Sequence, residues 1–248
     1  MIRAFVGLAS MFALLASSLP AAAQAPAPAP PPVWTVAASA GLALTSGNSD
    51  TSTVNVAYDL VYNPGTRNVV KSDALYLRGE NQGKLASNRL NVNLRDEYSL
   101  NARTFVFGQN QYLQDEFKSI DYLIAPTAGL GYKVIDTAPT KFSVDAGIGG
   151  VWEKNAIGDV HSSGAVTFSE KLNHALTSTT ALTHGFSALW KTKDWEDALY
   201  TFGAGVAVSM STRTQLKVEL LDVYKNKPPT PAVGKNDLAI LMAIVYKM

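Results

Sequence analysis

The stretch Thr212-Arg213-Thr214-Gln215-Leu216-Lys217-Val218-Glu219-Leu220 decides the fold. In an extended chain successive side chains point to opposite faces, so Thr212, Thr214, Leu216, Val218 and Leu220 share one side. Arg213, Gln215, Lys217 and Glu219 share the other. A helix would mix the two sets, so the pattern predicts a strand whose faces meet different environments. The same alternation recurs along the chain. Val54, Val56, Tyr58, Leu60 and Tyr62 alternate with Thr53, Asn55, Ala57 and Asp59. Leu90, Val92 and Leu94 alternate with Arg89, Asn91, Asn93 and Arg95, and Leu238, Ile240, Met242, Ile244 and Tyr246 share a face near the C-terminus.

Working outward from these segments, the alternation predicts strands over 34–45, 51–62, 68–80, 87–101, 103–115, 120–134, 140–153, 161–173, 175–187, 197–210, 211–224 and 236–248. Many exceed the roughly 5–6 residues usual in soluble sheets. They match the roughly 9–11 residues that a tilted strand needs to cross a bilayer. The connections read as alternating in length. Short ones carry turn chemistry at Asn63-Pro64-Gly65-Thr66, Asn101-Ala102, Asn173-His174 and Met210-Ser211, with Ile135 to Pro139 intermediate. Longer polar ones read over 81–86, 116–119, 154–160, 188–196 and 225–235. Aromatic residues, among them Trp34, Tyr98, Phe105, Tyr132, Trp152 and Tyr246, lie mostly near strand ends, where amphipathic rings suit a headgroup girdle.

These features predict an all-β fold, a transmembrane antiparallel up-and-down β-barrel of about twelve strands. Hydrocarbon offers backbone amides no hydrogen-bond partner, so a sheet facing lipid must close on itself. The apolar faces then point outward. Arg89, Arg95, Glu97, Arg213, Lys217 and Glu219 point into the lumen, joined by Asp145, Glu153 and Lys171. Gly129, Gly131, Gly147, Gly149, Gly203 and Gly205 fall on the same lumenal faces, where they permit bending and close approach. The rival fold is a soluble periplasmic β-barrel or sandwich, which alternates equally but hides its apolar face inside.

The N-terminus reads as an export signal over 1–23: Arg3 is the basic region, Phe5 to Leu15 the apolar region and Ala21-Ala22-Ala23 the cleavage site. An Ala/Pro-rich linker follows over 24–33, and the barrel domain occupies 34–248. The formal net charge of +1 gives no reason to expect nucleic acid as a partner. The absence of cysteine excludes a disulfide scaffold and a thiolate metal site.

The segment Gly41-Leu42-Ala43-Leu44-Thr45-Ser46-Gly47-Asn48-Ser49-Asp50-Thr51 resembles the opening signature of domain-of-unknown-function family 481, often labelled salt-induced outer-membrane proteins. Tyr112, Asp115, Phe117, Tyr122 and Gly129-Leu130-Gly131-Tyr132 carry the resemblance further, and it spans about residues 38–248. It implies an outer-membrane barrel and no established activity. One departure stands out. Barrels of this class commonly end in an aromatic residue read by the barrel-assembly machinery, whereas this chain ends Tyr246-Lys247-Met248.

No residue reads as a catalytic, cofactor or metal site, and the chain is expected not to be an enzyme. His161 and Ser163 have the two-apart spacing of outer-membrane lipid hydrolases, with Asp159 nearby. However, Val166 and Phe168 set the lipid face of that strand, which turns His161 and Ser163 into the lumen. His184 and Ser187 fall on opposite faces, and His174 reads as part of a tight turn. Asp115, Glu116 and Asp121 read as a solvated acidic outer loop. Pro228, Pro229 and Pro231 stiffen the last outer loop. Lys225, Lys227 and Lys235 make it basic, suited to lipopolysaccharide phosphates. The expected setting is the cell outer membrane, with its lipid and lipopolysaccharide as partners and the assembly machinery acting during biogenesis. Three roles stay open: a structural, stress-related or narrow-pore barrel, a lipid-modifying hydrolase, and a soluble periplasmic binder.

Overall fold

A computed structural model describes residues 33–248, apart from 47–50, 82–83 and 157. The export-signal reading and all but the last residue of the linker reading therefore lie outside the described residues. Among those described, twelve strands form one closed antiparallel barrel: β1 Trp34–Ser46, β2 Thr51–Tyr62, β3 Asn68–Asn81, β4 Lys84–Ser99, β5 Thr104–Asp115, β6 Ile120–Asp136, β7 Thr140–Asn155, β8 Val160–Ala175, β9 Thr180–Lys191, β10 Asp194–Ser209, β11 Thr214–Lys225 and β12 Asn236–Lys247. Each pairs with its sequence neighbour, and β1 pairs with β12, so no strand edge is left open. A single-turn helix, η1 Glu116–Lys118, interrupts the β5–β6 connection. No helix of the described residues is long and apolar enough to cross a membrane.

The register fixes the shape. Starting at Thr35, cross-strand partners lead through Val61, Lys71, Arg95, Gln109, Thr127, Gly149 and Ala165 to Lys191. Starting the other way from Thr45, they lead through Ala239, Leu221 and Gly203 to Gly185. The two paths are 10 residues apart on β1 and 6 apart on β9, a total stagger of 16. With ordinary strand spacing and rise, that stagger tilts the strands by about 42° and gives a circular wall a radius of about 13 Å.

The faces are assigned as the alternation predicts. Leu216 is 43% exposed, Val218 41% and Ile240 40%, all pointing out of the wall. Val54, Val56, Leu94, Leu130, Ile148 and Ile244 continue this outward apolar belt, with Trp34, Tyr98, Tyr132 and Tyr246 toward the end where β1 begins and β12 finishes. Lys217 and Glu219, on the other face, pair with each other at 2.6 Å inside the barrel. The inside-out arrangement excludes the soluble barrel, whose exposed wall would be polar.

Three expectations about the wall need correction. The first is loop asymmetry. At the end away from Trp34 and Lys247, the β5–β6, β7–β8 and β9–β10 connections are only 116–119, 156–159 and 192–193, and among the described residues just one connection there, 226–235, is long. Lys191 and Asp194 look like loop residues in sequence, yet both belong to strands, and the Lys191 ammonium meets Asp197 of β10 inside the barrel. The second is the turn assigned to Asn173-His174. Both residues belong to β8, with His174 Nδ1 2.8 Å from Thr140 Oγ1 on β7. The true turn is 176–179, where Thr177 Oγ1 accepts hydrogen bonds from the Thr179 and Thr180 amides. The third is Arg213, which sits in the 210–213 turn, exposed, with Nη1 3.5 Å from the hydroxyl of outward-facing Tyr246.

Candidate functional site: a lumen sealed at one end

The lumen has two unlike halves. Toward the far mouth the inward positions are apolar. Leu77, Leu113, Leu123, Val151, Leu189, Leu199, Leu221, Val223 and Leu241 pack into one buried cluster inside the barrel. In a water-filled channel such side chains would be wet. Here Leu113, Leu123, Val151 and Val223 are at most 1% exposed, so the lumen at their level is filled by protein.

Two charge clusters sit within this seal. In one, Glu153 (1% exposed, β7) accepts hydrogen bonds from Lys225 Nζ (2% exposed, β11) at 2.9 and 3.1 Å and lies 3.0 Å from Lys191 Nζ of β9. Asp197 of β10 completes the group, 3.3 Å from Lys225 Nζ. Two ammonium groups thus balance two carboxylates, as burial demands. β7 and β11 are four strands apart, which a circular wall would place about 22 Å from each other. The direct contact between their side chains shows the wall drawn inward here.

The second cluster closes the mouth itself. Asp115 caps η1 by accepting from the Phe117 and Lys118 amides at 3.1 Å, which points Lys118 across the opening. The Lys118 ammonium, 0% exposed, donates to the carbonyls of Gly234 at 3.0 Å and Lys235 at 2.8 Å and pairs with Asp237 at 3.0 Å. Those partners belong to the 226–235 connection and the start of β12, on the opposite wall from η1. Asp115 is also buried beside Arg89, so it is not the solvated loop carboxylate expected from sequence. Lys225 is likewise withdrawn from the basic outer loop, and Lys227 is bonded to Asp194.

Toward the end where β1 begins and β12 finishes, the lumen opens into a charged vestibule. One cavity of about 660 Å³ is lined by Asp59, Lys71, Arg95, Lys171, Lys217 and Glu219, among others, and reaches the rim residues Lys133, Asp136 and Lys141. A neighbouring space of about 330 Å³ shares Asp59, Lys217 and Glu219 with it. Arg95 organises one wall. It donates to Glu97 at 2.8 Å, Gln109 at 2.7 Å and Asp145 at 2.9 Å, and its guanidinium carbon lies 3.8 Å from the centroid of the Phe107 ring. Phe105 and Phe107 thus line the lumen, so Phe105 is not part of the outer girdle. The glycines explain how the rings fit. A Cβ on Gly131 would lie 2.1 Å from the Phe105 ring, and one on Gly147 would lie 3.0 Å from the Phe107 ring.

The weighed histidines are not brought together. His161 and Ser163 do face inward at the far mouth, but His161 is exposed and Ser163 Oγ accepts from the Lys193 amide at 3.1 Å. His184 and Ser187 point to opposite sides as expected. His184 Nε2 lies 2.8 Å from Glu170 Oε1 on the outer face, a pairing the sequence reading did not foresee. Among the described residues no group of three or more candidate ligands could hold a metal ion.

A closed twelve-strand wall, apolar outside and charged within, defines a β-barrel of the outer-membrane type. Its sequence matches DUF481, a family of proteins of unknown function, over residues 38–248, and the chain belongs to that family. No curated protein matches it. Among solved structures it is similar to the NanC porin, with a TM-score of 0.57 at 10% identity, covering 87% of this chain and 100% of that one. The translocator domain of the autotransporter NalP from Neisseria meningitidis gives 0.51 at 9% identity, covering 88% of this chain and 90% of that one. The COG4313 outer membrane channel from Pseudomonas putida F1 gives 0.50 at 14% identity, covering 89% and 97%. At such identities the likeness is one of fold.

Proposed function

We propose that this chain is an integral outer-membrane protein, not an enzyme, whose lumen is shut toward the outside and opens as a charged vestibule toward the periplasm. The carrying observation is the filled mouth, with Leu113, Ile120, Val151 and Lys118 all at 0% exposure. The start of β1 at Trp34 and the end of β12 at Lys247 lie at the open end, which is periplasmic in a barrel inserted from that side. The apolar belt packs against membrane lipid, and exposed Lys235 is left to meet lipopolysaccharide phosphate. The barrel-assembly machinery inserts it, reading a β12 whose last outward aromatic is Tyr246. The neighbouring porin and channel folds support the membrane setting.

In this state the barrel is a receptor-like or anchoring element rather than an open diffusion pore. A narrow-pore role requires η1 and the 226–235 connection to part. Two measurements test the reading. Envelope fractionation should recover the chain only with detergent, in the outer membrane. In planar bilayers the purified barrel should show no steady current, and an ohmic conductance would overturn the sealed lumen.

A further inference from the structure

The vestibule's ion pairs leave charges over. Arg95 is engaged by Glu97 and Asp145, Lys71 by Glu97, and Lys217 by Glu219. Among the described residues, Asp59 and Lys171 have no ion pair or hydrogen bond, although both line the 660 Å³ cavity. They stand on β2 and β8, six strands apart in a ring of twelve, so they face each other from opposite walls. Asp73, cross-strand partner of Asp59, reinforces the negative side. Inward Gly185 and Gly203 leave the space beside Lys171 free of bulky side chains.

A lumen closed at one end by low-dielectric packing focuses such opposed charges into a field across the cavity. From this geometry we infer that the vestibule binds a zwitterionic solute of oligopeptide size, its ammonium toward Asp59 and Asp73 and its carboxylate toward Lys171. A singly charged or neutral solute leaves one wall unanswered, and an apolar one gains nothing from a rim of lysines and carboxylates. The inference rests on the periplasm-facing, sealed lumen proposed above.

The test is calorimetric titration of the purified, detergent-solubilised barrel with triglycine, N-acetyl-triglycine and triglycine amide. Triglycine should bind about tenfold more tightly than either singly charged derivative, the scale of one charge-assisted contact. Asp59→Asn should erase the advantage over the acetylated peptide alone, and Lys171→Met the advantage over the amide alone. Equal binding of all three peptides, or none by a barrel whose circular dichroism shows it folded, overturns the inference. Planar-bilayer conductance of the same preparation reports separately on the seal, so failure of the site and failure of the closed lumen are distinguishable.

Discussion

Replacing Lys225 by methionine keeps nearly the same volume in the mouth but removes a charge from Glu153. In the parent, Glu153 is 1% exposed and takes two hydrogen bonds from Lys225, at 2.9 and 3.1 Å. Breaking a buried pair by removing one partner typically costs about 3–5 kcal/mol, because the remaining charge stays desolvated. Lys191 stays 3.0 Å from Glu153 and can still neutralise it, which places the expected loss near the low end, about 3 kcal/mol. The assay is equilibrium urea unfolding in detergent micelles, followed by tryptophan fluorescence. The double variant Lys225→Met with Glu153→Gln removes the stranded charge and should recover at least half of that loss. A single variant within about 0.5 kcal/mol of the parent would refute the reasoning, since that is the size of an ordinary surface change.

Three further outcomes are expected. Val218→Arg places a charge on the outward belt near the middle of β11 and should cost about 2–4 kcal/mol, whereas inward Gln215→Arg should be close to neutral; the same unfolding assay compares them. Gly131→Ala drives a methyl to within 2.1 Å of the Phe105 ring, so it should destabilise by about 1–3 kcal/mol, and truncating Phe105 in the same chain should relieve part of the clash. Lys118→Met unties η1 from Gly234, Lys235 and Asp237, and single-channel recording should then show current steps that the parent lacks. A variant as silent as the parent would mean that the apolar layer alone holds the lumen shut.

The turns show how far local chemistry reaches. At 100–103 and 210–213, Asn101 Oδ1 and Ser211 Oγ each accept two amide hydrogen bonds, and sequence marks both positions. Thr177 does the same at 176–179. The shared pattern is visible: Leu100-Asn101, Leu176-Thr177 and Met210-Ser211 each precede a threonine three residues after the polar one. The 176–179 turn is therefore legible in the sequence. The inward rings of Phe105 and Phe107 were not legible, because a ring near a strand end suits a girdle and a lumen equally well.

The alternation alone carries the barrel: its strands, its closure, its outward face and about half of the lumenal charges described above. Period-two alternation is a property of each strand alone, and lipid punishes any exposed edge or misplaced charge strongly enough to write that pattern plainly. Only the tertiary structure decided that the lumen is sealed at one mouth. Leu113, Val151, Leu189 and Leu221 point inward from strands far apart in the chain, and in sequence an inward leucine looks like a lapse in alternation. The contacts of Glu153 with Lys225 and of Lys118 with Asp237 join residues on walls that meet only after the sheet has closed. No local rule distinguishes those lysines from the solvated ones, because what buries them is the opposite side of the barrel.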